Sequence, residues 1–170
     1  MSEKAKDSDL DFVAGQLGRP PRDVHGIGYR CPCGAPAVVE TKPRLSDGTP
    51  FPTFYYATCP RLTSAISTLE NGAMMSEMND RLAHDAELSG AYRAAHDDYL
   101  AARAAMGVDV PEIANISAGG MPDRVKCLHS LVAHSLAAGK GVNPLGDEAL
   151  AQLPEWWRNT PCSQSMENNG

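Results

Sequence analysis

HGIGYRCPCGAPAVVETKPRLSDGTPFPTFYYATC, residues 25–59, is the stretch that decides the fold. Within it HGIGYRC, PAVVETK and TFYYATC are rich in β-branched and aromatic residues, which suit a pleated, half-buried surface. CGAP separates the first two runs. LSDGTPFP separates the second and third, and its Asp47-Gly48 supplies the positive φ that a tight turn needs. The pattern predicts a small three-stranded antiparallel sheet. Its cysteines fall at strand ends, with Cys31 and Cys33 at one corner and Cys59 closing the third strand.

Outward from the sheet the periodicity turns helical. In SDLDFVAGQLGR, Leu10, Val13 and Leu17 share one face, Ser8 or Asp9 stands where a cap belongs, and Pro20-Pro21 stops the helix. RLTSAISTLENG reads as a short helix closed by Asn71-Gly72, and residues 74–106 carry the longest helical pattern, ending at Gly107. A loop with a short extended piece at 113–117 follows. Pro122 then opens a helix expected to reach about residue 138, and a last short helix covers 147–153. The fold class is therefore α+β, the sheet packed against four or five helices. Residues 1–7 read as a disordered lead, 8–154 as one domain and 155–170 as a tail.

Composition narrows the function. A chain of 170 residues with 42% hydrophobic content can bury one core, and a net charge of -6 disfavours nucleic acid as a partner. Cations nevertheless cluster locally at Arg22, Arg30, Lys42, Arg44, Arg61, Arg124 and Lys126, which suits a small anionic ligand. No apolar run approaches the roughly 20 residues that span a bilayer, so no membrane partner is expected. The charged start lacks an apolar export core. These features predict a cytoplasmic protein with reduced thiols.

Cys31, Cys33, Cys59 and Cys127 form the candidate metal set, for zinc or an iron–sulfur cluster, while Cys162 lies in the tail. CPCG and TCP hold thiols in turns, but C-x-C lacks the C-x-x-C spacing of zinc ribbons, so buried structural thiols and reactive thiol chemistry stand beside metal binding. GGMPDRVKCLHSLVAH, residues 119–134, tempts a local Cys-x-His reading. In a regular helix, however, Cys127 and His129 diverge, and Cys127 and His134 lie about 10.5 Å apart along the axis. Val125, Leu128, Val132 and Leu136 make the core stripe. Gly119-Gly120 with Arg124 and Lys126 suggests an anion site at the helix start, against plain capping by Asp123.

The long helical segment carries Asp85, Ser89, His96 and Arg103 within an otherwise apolar side. Polar groups there need partners. As a pocket wall they would share a cleft with His134, Arg124 and Lys126 of the later helix, making His96, His134 and Asp85 candidate catalytic groups, with Arg103 joining Arg124 and Lys126 in binding an anion. As structure they would form a buried network, or the helix would pack through its alanine face.

CPCGAPAVVETKPRL, DGTPFPTFYYATCPRL, RLAHDAELSGAYRAAHDDYLAAR and ISAGGMPDRVKCLHSLVAHSLAAGKGVNPLGDEAL together resemble a family of short actinobacterial proteins catalogued as domain of unknown function five-zero-one. The resemblance runs from about residue 11 to 153. It implies a gene neighbourhood with enolase, a septum-formation initiator and an exopolyphosphatase, and it assigns no catalytic residue. Three functions therefore stay open: a metal- or cluster-binding protein, a small enzyme acting on a phosphorylated or carboxylated metabolite, and an interaction module linked to cell division.

Overall fold

The computed structural model describes residues 3–158, so Cys162 and the rest of the tail lie outside the described residues. Its elements run α1 (Asp7–Leu17), β1 (Val24–Arg30), β2 (Pro36–Thr41), β3 (Tyr55–Ala57), α2 (Pro60–Glu70), α3 (Met74–His84), α4 (Ala86–Ala104), a 3-10 turn (Pro111–Ile113), α5 (Leu128–Ala138) and α6 (Pro144–Gln152). The sheet is antiparallel in the order β1-β2-β3, and with the helices it makes the α+β fold expected.

Every residue of the central strand β2 is buried, because side chains alternate faces and both faces are covered. On one face Val39 meets Val13 of α1 and Ile27. On the other, Val38 joins the main core with Leu128, Leu131 and Val132 of α5. Gly28 makes that second contact close: a Cβ there would sit 3.5 Å from the Ala137 Cβ. Ahead of α1, in the segment expected as a disordered lead, the Ile27 N–H donates to the Glu3 carbonyl at 2.7 Å. Arg30 holds both Glu3 and Asp9 (2.6 and 2.9 Å).

Three expectations are corrected. The helical pattern of 74–106 is two helices, broken at Asp85. Its backbone is extended (φ -120°, ψ 99°), and its carboxylate caps α4 by accepting the Leu88 N–H at 3.0 Å. The helix expected from Pro122 begins only at Leu128, because Gly119 and Gly120 adopt left-handed φ of 68° and 92° and fold 119–127 into a turn. A Cβ on Gly120 would stand 2.6 Å from the Arg124 carbonyl. The extended piece at 113–117 is instead a 3-10 turn followed by loop.

Tyr99 of α4 pins the sheet to the helices. Its buried hydroxyl accepts the N–H groups of Phe54 (2.7 Å) and Tyr55 (3.1 Å), just where β3 begins. Tyr99→Phe leaves both donors without that partner in the core. A urea melt should show about 1–3 kcal/mol of lost stability.

Candidate active site

Residues 125–130 form the site, and the chain enters them extended. Val125 is tied on both sides of its peptide to Asn79 of α3, its N–H to Oδ1 at 2.8 Å and its carbonyl to Nδ2 at 3.0 Å. Cys127 follows in an extended conformation (φ -152°, ψ 113°) as the residue before α5. A helix start leaves its first N–H groups unpaired, and cysteine is not among the good caps. Glu70, the last residue of α2, does that work from across the fold. Its Oε1 accepts the Leu128 N–H at 2.7 Å, a longer contact from the His129 N–H at 3.4 Å, and lies 3.0 Å from His129 Nδ1.

The other ring nitrogen is also held. His129 Nε2 lies 3.2 Å from the Thr63 carbonyl and 3.3 Å from Ser67 Oγ. A carbonyl can only accept, so Nε2 carries a proton. Nδ1 faces a carboxylate and carries the other, which makes His129 an imidazolium. The neighbouring Cys127 thiol pushes it up to about 9 against the cost of burial, with Glu70 adding to the rise. Burial pushes the Cys127 thiol up in turn. His129 and the N–H and hydroxyl of Ser130 outweigh that and hold it below its usual value. The Glu70 carboxylate, which already caps the start of α5, acts the other way and raises the thiol.

Donor atoms of Glu70, Cys127 and His129 all lie within 4.8 Å of one another. That spacing could admit a divalent ion only if His129 gave up its Nδ1 proton, and the partners on both nitrogens favour the protonated ring. The thiol and the ring open on a cleft of about 530 Å³ between β3, the end of α1 and the starts of α2 and α5. Gln16, Thr53, Tyr56, Thr58, Thr63 and Ser130 also line it, so His129 is its one ionisable nitrogen base among the described residues.

The other expected site residues go elsewhere. Cys127 groups with Glu70 and His129, and Cys31, Cys33 and Cys59 are not in that group. Cys31 follows β1 and is buried, Cys33 sits half-buried in the next turn, and Cys59 is buried just before α2. His96 Nδ1 lies 2.7 Å from Ser117 Oγ in the core. Arg103 spends its guanidinium on the Pro52 and Ile113 carbonyls (2.8 and 2.6 Å), tying two loops together.

His134 is fully buried, with Nε2 2.9 Å from Asp98 Oδ2 and Nδ1 3.2 Å from the Asn143 amide. Burial lowers its pKa despite Asp98, so it stays neutral as a packing group. Asp85 is a helix cap, and Arg124 and Lys126 are exposed in the extended lead into α5.

Glu70 was not singled out by the sequence, since nothing local links it to position 129. Cys-x-His was visible but discounted on helical phase. The irregular entry at 119–127 is what lets the two side chains meet.

The family described as "Protein of unknown function (DUF501)" matches residues 27–151, which include all three members of the group. No curated protein and no solved structure matches the chain.

Proposed function

The chain belongs to the DUF501 family, and from the geometry of this member we propose that it is a cysteine-dependent acyl-transfer enzyme. Cys127 is the nucleophile, His129 the acid and base, and Glu70 the residue that positions the ring. The observation that carries the reading is the convergence of these three side chains at the start of α5, on the wall of a cleft.

The thiolate attacks the carbonyl carbon of an ester, thioester or amide. A C–S bond forms, the bond to the leaving group breaks, and the His129 imidazolium gives its proton to that group. Water then attacks the thioester and loses a proton to the now neutral ring. The acid is released, and the thiolate–imidazolium pair is restored.

An activated ester such as p-nitrophenyl acetate tests this. A burst of nitrophenolate and one acetyl group on Cys127 are expected, both absent in Cys127→Ala. No adduct, or an adduct indifferent to that change, overturns it. So does zinc retained stoichiometrically by the wild type and lost in Cys127→Ala, which would make the same group a metal centre.

The zinc or iron–sulfur site expected from the cysteines stands as a separate proposal for Cys31, Cys33 and Cys59. What supports it is that the ladder runs these positions to one end of the sheet: the Cys31 N–H donates to the Ala35 carbonyl and the Thr58 N–H to the Ala37 carbonyl, both at 2.9 Å. Metal that co-purifies and falls away in Cys33→Ser supports it; full-length protein without zinc or iron removes it.

A further inference from the structure

A second cleft, of about 330 Å³, adjoins the first. Leu17 and Tyr56 line both, and Tyr56, 36% exposed, stands as the wall between them. The second cleft differs in chemistry. Val39, Leu45 and Phe51 give it an apolar floor, and Arg19 and Arg22 stand on its rim. Among the described residues no carboxylate forms an ion pair with either arginine. Arg19 makes only a long contact to the Pro20 carbonyl (3.4 Å). Asp47, the acid that feels Arg22, is already turned to the Thr49 N–H at 2.9 Å.

We propose that this cleft takes the far end of the substrate: an apolar segment ending in a negative charge, held by Arg19 and Arg22 while the acyl bond lies at Cys127. The proposal deepens the acyl-transfer reading by naming its substrate class. Two arginines over an apolar floor match an amphipathic anion and leave a neutral chain with nothing at the rim. At about 30 Å³ per small group, the volume suits roughly ten heavy atoms. The first cleft, with no cation but His129, would not itself hold that charge. The sequence's hint of an anionic ligand is thereby moved from Arg124 and Lys126 to Arg22 and its neighbour.

Octanoate is the probe, and titration calorimetry on the full chain at low salt is the measurement. Octanoate should bind wild type and Cys127→Ala equally. Affinity should fall at least about tenfold in the double variant Arg19→Gln/Arg22→Gln, whose changed side chains are exposed and leave the core intact. Octanol should bind comparably weakly, and shortening to hexanoate should cost about fourfold per methylene. Octanol binding as tightly as octanoate, an unchanged double variant, or no heat at any concentration overturns the proposal. Because Cys127→Ala is expected to retain binding, this result stands or falls apart from the thiol chemistry. In the reacting protein, the mono-p-nitrophenyl ester of an eight-carbon diacid should show a lower KM than the neutral octanoyl ester, a preference lost in the double variant.

Discussion

At pH 6, iodoacetamide should modify Cys127 severalfold faster than an ordinary thiol, and His129→Gln should remove most of that advantage. A free thiol near 8.5 is well under 1% ionised at that pH, roughly 0.3%, so holding the sulfur as thiolate makes the difference. The causes are on the site itself: burial opposes the thiolate, and His129 and Ser130 more than offset it. Glu70→Gln should have a smaller effect: a neutral amide still accepts the Leu128 N–H, and the loss of its hold on the ring charge is partly offset by removing a carboxylate that raises the thiol.

The sign of the pH dependence follows from the two shifts. His129 is raised on folding, so its contribution to stability is complete below its unfolded value near 6.5 and is lost as pH rises through about 9. Cys127 is lowered, so its contribution is present above its unfolded value near 8.5 and is lost as pH falls through its folded value. The charged pair therefore persists between those limits. Labelling should fall at the acid edge, and thermal stability should decline as pH rises towards about 9 more steeply in wild type than in His129→Gln, the difference levelling off above it. Peptide mapping after alkylation across the pH range checks the first; melts across the same range check the second.

Gly146→Ala should destabilise the fold by about 3 kcal/mol or more. Gly146 lies in α6 where it crosses α5, and a Cβ there would be 2.3 Å from both the Leu131 carbonyl oxygen and Ser135 Oγ. The Leu131 carbonyl is backbone, so rotating a side chain cannot relieve the clash. The two helices must separate, or α6 must shift along its neighbour. Asn143 helps to fix that neighbour, accepting the Gly146 N–H at 2.9 Å while its amide lies against buried His134. Because α5 carries Cys127 at its start, alkylation at pH 6 should slow together with the loss in urea midpoint.

The sheet was legible because its signals are local: β-branched runs, Asp47-Gly48 and the turn at Cys31–Gly34 act within a few residues of themselves. The same is true of α1, ended by Gly18 in the left-handed region (φ 71°) ahead of Pro20-Pro21. Where the reading failed, the deciding partner was distant. Asp85 kept helical periodicity on both sides while breaking the helix by capping the next one. Pro122 looked like a first helical residue, but Gly119 and Gly120 hold the chain in a turn and Asn79 of α3 fixes Val125. That delay changes the site's chemistry: a regular helix through 127–129 would have separated the thiol from the ring. Glu70 is the clearest case, since its role exists only where α2 meets α5.

His129 is an imidazolium paired with a thiolate. Ring nitrogen NMR on uniformly labelled full-length protein measures it directly, with His129→Gln identifying the signal. Both ring nitrogens should be protonated at neutral pH, with a transition at about 9 that shifts downward in Cys127→Ala. A neutral His129 ring at pH 7.5, titrating near the ordinary value of about 6.5 and indifferent to Cys127, would contradict it.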